Sequence, residues 1–598
     1  MRVIFMGTPD FAVPSLDAIV DALDGLPLAI ELASQWGAVV PWDRVPELLG
    51  DTEPTLSARL GAAWSLLPEG PRRVLEALAS FADTVAFDDL IAVSPGAPLG
   101  LRHLLDASLV QRIGDRYRLL APVRRFVREH GPQQAQADEA HHTYLAGVAE
   151  DAVARFPTRA GPDARHALAQ RLPDLSLAYA HRKDGWLALA IEEVQRLHGD
   201  PDGRRAIIED AFAHEARPDA RLALAMVRID VHPSQRLKEL TDDLLRCLSE
   251  EATPHRRARA RVAVCWARYR TDPDPAYVDQ TLAFARSVGA ADAERMATFL
   301  VSSHAVRADP TALRDALPQW ERIVDDLEAL EAYPYALRAA VSVASTWASL
   351  GDVARARVAV ATFARLLEAW PDAYYEGALH NLLAYQRQDD GDYEGALASY
   401  EAMRRIRCGR RGAPDAVWLK NRAMTLLDAG RVAEAERDLE LAAQRLVSLP
   451  HIHSSALDLL ALAHLDQGDV SRALHVLEDA HLDDLTGVSL AYHEESRAMV
   501  FAFAGRLGDA AAIWSTLDAD TLGEQPAAVF HGIRAAVDHG PRSRAVTTRL
   551  DTVVPRALAE LVQVFDIPEG IEAFLAQTPA PPLLARIVAR LRLRHLRA

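Results

Sequence analysis

Small and bulky apolar positions between Ala344 and Ala510 recur in a fixed register that predicts a stack of antiparallel helix pairs. Take Gly351, Gly391, Gly430, Gly468 and Gly505 as origins. Seven positions before each stands an alanine: Ala344, Ala384, Ala423, Ala461 and Ala498. Five positions after each stands another: Ala356, Ala396, Ala435, Ala473 and Ala510. Nine positions after comes a bulky apolar residue: Val360, Tyr400, Leu439, Leu477 and Trp514. Each glycine is placed to end one helix and turn the chain, while the flanking methyl groups let two helices approach closely. Successive origins lie 40, 39, 38 and 37 residues apart, a period that suits stacked helix hairpins.

Upstream the helical pattern continues in poorer register, with helices predicted near 176–182, 186–197, 204–213, 221–228, 256–269 and 277–288. Loop signals at Thr253-Pro254, Asp272-Pro273-Asp274-Pro275 and Asp309-Pro310 separate hairpins there. Between 56 and 130 the pattern is mixed. Helices are predicted over 56–67, 71–81, 88–93 and 98–107, then two short strands, 109–113 and 116–120, around Gly114-Asp115, then a helix over 123–130. Ser15 can cap a helix that Gly25 ends, and Pro27 can start the next. At the far end, Pro581-Pro582 precedes a helix with Leu584, Ile587, Val588 and Leu591 on one face and Arg586, Arg590 and Arg594 on another. That helix is expected to cap the stack.

Composition narrows the classes. With 598 residues and 49% apolar content, the chain can bury several cores or one long array. A net charge of −18 argues against nucleic acid as the main partner, because phosphate binding needs a positive surface. Cys247, Cys265 and Cys408 are few, scattered and without metal spacing, so they read as small core residues in a reducing compartment. No apolar run reaches membrane-spanning length, and a cytoplasmic location is expected, with no membrane partner.

Several strings resemble known families. The alanine columns and the turns Gly351-Asp352, Gly391-Asp392 and Gly468-Asp469 resemble the tetratricopeptide repeat, with Gly430-Arg431 and Gly505-Arg506 as variants. The period exceeds that family's, which is about 34 residues. The resemblance implies a groove for a protein or peptide. Residues 1–16, MRVIFMGTPDFAVPSL, resemble the start of methionyl-tRNA formyltransferase, but the strand and helix alternation of such an enzyme does not follow. Ser65-Leu66-Leu67-Pro68 is similar to a loop of that family, with Ala63 where its histidine stands. The string Gly25-Leu26-Pro27-Leu28 resembles the Gly-Leu-Pro-Leu motif of STAND signalling ATPases of the NB-ARC type, in their bacterial AfsR-like branch. That resemblance implies a nucleotide contact at Gly25, Leu26, Pro27 and Leu28, here vestigial. It also implies a winged-helix domain, supported by the run Arg116-Tyr117-Arg118-Leu119-Leu120, and a helical array behind it.

Two departures weigh on function. None of the three lysines, Lys183, Lys238 and Lys420, follows a glycine, so the phosphate-holding loop of a P-loop ATPase is missing. Leu119-Leu120-Ala121 stands where many relatives carry a Met-His-Asp sensor. The expected fold class is therefore mainly α: a short helical segment, a winged-helix domain with a β-hairpin, then an α-solenoid of tetratricopeptide-like helix pairs. The segments are a formyltransferase-like leader (1–16), a helical segment (17–50), the winged helix (51–132), irregular repeats (133–335), regular repeats (336–540) and a helical cap (541–598).

The expected role is a non-enzymatic scaffold or sensor arm of a STAND-type signalling or transcriptional regulator without its own ATPase core. Its partners would be a protein or peptide ligand and a separate ATPase or kinase component, with no cofactor. The alternatives are an enzyme (the formyltransferase, or a nucleotide hydrolase) and a DNA-binding regulator acting through the winged helix. Tetratricopeptide geometry would place Asn381, Tyr385, Gln388, Lys420, Met424, Asp458, Tyr492 and Glu495 exposed in the groove. Lys420 there could hold an acidic group of the ligand. The recognition helix offers only Arg102 and His103 to DNA, so the basic wing (Arg112, Arg116, Arg118, Arg124, Arg125) is expected to be solvated and docked on its neighbours. His141-His142 and His451-Ile452-His453 lack metal-ligand spacing and are expected at the surface, at helix starts or turns.

Overall fold

The computed structural model describes residues 60–478, apart from short breaks, and scattered residues between 485 and 516. The leader, the Gly25–Leu28 motif and the expected terminal cap lie outside the described residues. Within them the protein is mainly α. Two compact units divide the chain: one holds residues up to 156 with 163–194 and 204–228, the other holds 157–162, 195–203 and everything from 229 onward.

The first unit begins with α1 (Glu69–Ser80), β1 (Thr84–Ala86), α2 (Phe87–Val93) and α3 (Ala97–Asp106). The hairpin β2 (Val110–Ile113) and β3 (Arg116–Leu119) follows, then α4 (Ala121–His130) and the long α5 (Gln134–Arg155). Gly114 at the hairpin tip has φ +64°, the left-handed conformation that a two-residue turn requires. The strands form one antiparallel sheet in the order β1-β3-β2, with Val85 opposite Tyr117 and Arg112 opposite Tyr117 on the other side. Val74, Leu78, Phe81, Leu90, Leu101, Leu104, Leu119, Val123 and Phe126 close over a single core. Helices α1 and α3 touch at Gly100, where a Cβ would come within 2.5 Å of a Val74 methyl. Further helices α6 (Gly161–Ala169), α7 (Leu172–His181), α8 (Gly185–His198), α9 (Pro201–His214) and α10 (Pro218–Val231) continue the chain.

From α11 (Leu237–Arg246) onward, helices alternate with short turns: α12 (Pro254–Thr271), α13 (Pro275–Ser287), α14 (Ala291–Ala308) and α15 (Leu313–Ala329). The hairpins in regular register are α16 (Tyr333–Ser349) with α17 (Val353–Ala369), α18 (Ala373–Asp389) with α19 (Tyr393–Ile406), α20 (Ala413–Asp428) with α21 (Val432–Leu446), and α22 (Pro450–Asp466) with α23 (Val470–Glu478). Proline opens many of these helices because its missing N–H costs nothing in the first turn.

The alanine columns face inward. Ala344, Ala384, Ala423, Ala461 and Ala498 are each 0% exposed, and Ala356, Ala396, Ala435 and Ala473 are buried opposite them. Val360, Tyr400, Leu439 and Leu477 fill the space beyond. Ala510 and Trp514 lie outside the described residues.

The turns explain the period. Gly391, Gly430 and Gly468 adopt φ of +76°, +79° and +83°. In each, the residue after the glycine donates its N–H five residues back, Asp392 to Arg387, Arg431 to Leu426 and Asp469 to His464. The glycine itself donates three back, to Gln388, Leu427 and Leu465. This is the Schellman closure, which satisfies carbonyls the helix end would otherwise orphan. The aspartate after the glycine then caps the next helix: Asp352 accepts from Arg355 N–H at 3.1 Å, Asp392 from Gly395 N–H at 2.9 Å, and Asp469 from Arg472 N–H at 3.0 Å. Arg431 lacks such a cap and instead pairs with Glu434 in the first turn.

Nothing lies within 4 Å of where a Cβ on Gly391 would sit, so the cost of Gly391→Ala is conformational alone. It should destabilise the protein by about 1–2 kcal/mol in urea unfolding, and Gly391→Asn by less, since asparagine tolerates the left-handed region. Ala473→Arg, which overpacks a crossing and buries an unpaired charge, should cost roughly 3–5 kcal/mol by the same measurement.

Candidate binding face on the first helices of the repeats

In each regular hairpin the alanine column faces the partner helix, which leaves another stripe of the first helix to meet the first helices of neighbouring repeats. On α18, α20 and α22 that stripe is polar. Asn381, Lys420 and Asp458 stand ten positions before their turn glycines, and Tyr385 and Met424 six before. All five are half-buried, as is Gln388; none is exposed as the sequence suggested. Helix α16 packs beside α18 and α20 beside α22, and a side-chain hydrogen bond reaches from α20 to α18, which shields the stripe.

Hydrogen bonds link the helices rung to rung. Asn421 Nδ2 donates to Asn381 Oδ1 at 2.9 Å, and Thr425 Oγ1 donates to Gln388 Oε1 at 2.7 Å. Gln388 Nε2 donates in turn to Asp428. On α22, Asp458 Oδ1 lies 2.7 Å from Nδ1 of the fully buried His493, and Ser454 Oγ lies 3.1 Å from the same nitrogen. Asn421, Thr425, Asp428, Ser454 and His493 were not singled out by the sequence pattern. They lie one position from the predicted stripe, or a turn along it, and only the neighbouring helix brings them in. Tyr492 and Glu495 lie outside the described residues.

Burial sets the electrostatics. It pushes the Tyr385 phenol up to about 12, partly offset by a hydrogen bond from Asn381. It raises the Asp458 carboxyl above its usual range, against the lowering pull of His493 and Lys420. It holds the Lys420 ammonium below the ordinary lysine value, with the attraction of Asp458 a smaller opposing effect. Lys420 has no ion pair or hydrogen bond to any described residue. Lys183, by contrast, sits 2.9 Å from Asp210 and over the Tyr179 ring.

Ser454, His493 and Asp458 carry the residue types of a nucleophile relay without its geometry. A relay needs the serine and the carboxylate on opposite ring nitrogens. Here both face Nδ1, while Nε2 is buried with no hydrogen-bond partner. The arrangement orients His493 and nothing more. Among the described residues no group of three His, Cys, Asp or Glu side chains is placed to hold a metal ion, and no helix is long and apolar enough to cross a membrane. Cys265 donates to Thr281 Oγ1 at 3.3 Å, and burial pushes its thiol up to about 11, far from thiolate reactivity.

The wing arginines in the first unit are occupied. Arg116 donates to Thr84 Oγ1 and to the Thr84 carbonyl, Arg118 pairs with Asp83 at 3.1 Å, and Arg124 donates to the Asp83 carbonyl at 2.9 Å. Arg112 turns back to the Gly114 carbonyl at 2.9 Å. Arg102, His103 and Arg125 are exposed.

His141 and His142 are not surface residues at a helix start. They lie mid-helix in α5 and are buried, on the face that carries Leu145, Ala149 and Ala152. His141 meets the Phe81 ring edge-on at 4.6 Å, and burial pushes it down to about 4. His142 faces the Ala178 carbonyl at 3.2 Å. Both histidines belong to the core that α5 shares with its neighbours. His451 and His453 do open a helix, in the first turn of α22.

No protein-family model and no curated protein matches this sequence. Among solved structures the chain is similar to a signal transduction ATPase with numerous domains (STAND) carrying a tetratricopeptide repeat sensor, from Pyrococcus horikoshii. Identity is 14%, 77% of this chain and 72% of that one are covered, and the TM-score is 0.48. The quorum sensor NprR from B. thuringiensis follows at 13% identity, 55% and 96% coverage and a TM-score of 0.37. Cut9-Hcn1, a hetero-tetramer of APC/C, stands at 11% identity, 71% and 95% coverage and a TM-score of 0.25. At such identities and TM-scores these likenesses assign no function.

The half-buried Lys420 makes a signed prediction. Its folded value lies below the unfolded one, so between the two the unfolded chain binds more protons and stability rises with pH up to the usual lysine value of 10.5. At neutral pH the buried charge is a net cost. Lys420→Met should therefore raise stability at pH 7 by something on the order of 1 kcal/mol. It should also flatten the rise toward pH 10.5, as read from denaturant midpoints across pH.

Proposed function

We propose that the chain is a non-enzymatic recognition arm that binds a peptide or protein segment across the first helices of its repeats. The observation that carries this reading is the contrast between the two stripes of those helices. One stripe is alanine and closes on its partner. The other holds amides, a phenol, a thioether, a lysine and a carboxylate, all half-buried, and the amides are linked from helix to helix. Stability alone does not call for such a stripe, since apolar residues there would lock the helices without desolvating polar groups. Amides spaced along parallel rods suit the alternating donors and acceptors of a peptide backbone, and Tyr385 and Met424 offer adaptable apolar contact.

In the wider reading the arm is the C-terminal part of an AfsR-like STAND regulator. The first unit, whose three-stranded sheet and helices have winged-helix order, would join the repeats to a switch. A separate ATPase or kinase polypeptide would supply the phosphate chemistry, and the output would be signalling or transcription. A DNA-reading wing draws less support, because Arg116, Arg118 and Arg124 are spent on residues 82–84.

Selection of displayed peptides on the full chain tests the reading. Enriched peptides should lose about tenfold or more in affinity against Tyr385→Ala and Met424→Glu, by the removal of one anchoring contact. They should bind Val358→Glu unchanged, since Val358 is exposed on the second helix α17. Peptides insensitive to both first-helix variants would sink the assignment.

A further inference from the structure

Helix α12 is a basic exception in an acidic chain. Its sequence, PHRRARARVAVCWARYRT, holds six arginines and no acidic residue, while the chain carries a net charge of −18. Acids outside the helix answer only part of that charge. Asp292 takes Arg259 and Asp274 takes Arg268, each at 2.7 Å. Arg257 and Arg261, both half-buried and one turn apart, make no ion pair or hydrogen bond to any described residue.

Aromatic rings of α13 hold these two instead. The guanidinium carbons of Arg257 and Arg261 lie 5.3 and 4.7 Å from the Phe284 ring centre, and that of Arg261 lies 6.0 Å from the Tyr277 ring centre. A ring attracts a guanidinium through its π face and accepts no in-plane hydrogen bond, so the N–H donors stay unspent. Two donors at this flank are buried without a partner, Nε of Arg257 and the Tyr277 hydroxyl. Burial pushes the Tyr277 phenol up to about 12, against the opposing pull of Arg261 and Arg268, so at neutral pH it keeps its proton and can donate. Unpaired like charges and orphaned donors are unfavourable in the free chain, and an anion that accepts from them removes both costs.

We propose that Arg257, Arg261 and Tyr277 form a binding site for a dianionic phosphoryl group. Two guanidiniums balance two negative charges, where a single carboxylate would leave one of them unmatched. The three terminal oxygens of a phosphomonoester can accept from the Arg257 donors, from the Arg261 fork and from the phenol. Gln280, exposed one turn from both Tyr277 and Phe284 on α13, adds a neutral amide at the rim. A small phosphomonoester and a phosphorylated side chain share this chemistry, and the site reads the group they share.

The site is distinct from the binding face proposed above. Counted back from the helix end as Asn381 and Tyr385 are on α18, that face would cross α12 at Ala263 and Ala267. Arg257 and Arg261 turn instead to the flank that α12 shares with its partner helix α13.

Calorimetric titration of the full chain tests the site, with phenyl phosphate and phenyl sulfate as probes at about pH 7.5, where a phosphomonoester carries nearly two charges. Phenyl phosphate should bind about tenfold or more tightly than the singly charged sulfate, the worth of one charge-assisted contact. Arg257→Gln and Arg261→Gln should each weaken it by about tenfold, and Tyr277→Phe, which keeps the ring, by about threefold. Arg437→Gln, exposed on α21, should leave it unchanged, as should Tyr385→Ala and Met424→Glu on the binding face.

No binding of phenyl phosphate, or equal binding of the sulfate, would overturn the proposal. So would affinity unaffected by the arginine variants; should these not fold, unchanged affinity in Tyr277→Phe overturns it alone. Loss of binding in Tyr385→Ala or Met424→Glu would overturn the separation of the two sites. N-acetylated phosphoserine peptides, set beside free O-phosphoserine, distinguish the sources. Equal affinity supports the site as one for a small phosphomonoester, and tighter binding of the peptides supports it as one for a phosphorylated protein.

Discussion

The close approach of paired helices at alanine is the constraint from which the rest of the repeat array follows. A side chain larger than a methyl at Ala384 or Ala396 would hold α18 and α19 apart, and both positions are fully buried. Rods that nest so closely need a reversal within a few residues. The Schellman closure at Gly391, Gly430 and Gly468 provides it, with the glycine in the left-handed region and the next N–H reaching five residues back. The aspartate cap that follows starts the returning helix at once. Where arginine replaces that aspartate at 431, an ion pair with Glu434 holds the first turn, and the crossing at Ala423 and Ala435 is kept. Turn chemistry can vary; the methyl-sized crossing does not.

Once the alanine stripe is committed to the partner helix, the angular position of every other residue on the first helix is set. The stripe from Asn381 to Gln388 and its equivalents must lie among neighbouring first helices, half out of water. Such a place penalises polar groups unless they find partners. The amides do so across helices, and that fixes their orientation before any ligand arrives. Preorganised donors and acceptors lose little entropy on binding, which favours recognition over mere solubility. The same packing fixes His493 with both of its polar neighbours on one nitrogen, a geometry that orients without passing a proton onward.

What the sequence disclosed and what it hid divide along a physical line. The helices, the hairpin around Gly114 and the inward alanine columns depend on spacing within one segment, and spacing is visible in a sequence. The strand Thr84–Ala86 is too short for periodicity and exists because β3 offers it an edge. Asn421, Thr425 and His493 gain their roles from a helix about forty residues away, and no local pattern marks such a partner. His141 and His142 read as surface residues when metal-ligand spacing alone is considered. Their helical phase with Leu145, Ala149 and Ala152 was the legible signal. Six of the eight proposed groove residues were brought onto one face, but as half-buried members of a network rather than free side chains.

Lys420 shows how such a face can hold a group that works against it. In a stack where each repeat is stabilised by its neighbours, one unfavourable site is offset by the crossings on either side. The crossings around α20 at Ala423 and Ala435 are fully buried, and they tolerate an ammonium that makes no hydrogen bond or ion pair in the described chain. The attraction of Asp458 offsets part of its burial cost, and replacing Lys420 with an apolar residue would remove the rest and tighten the array.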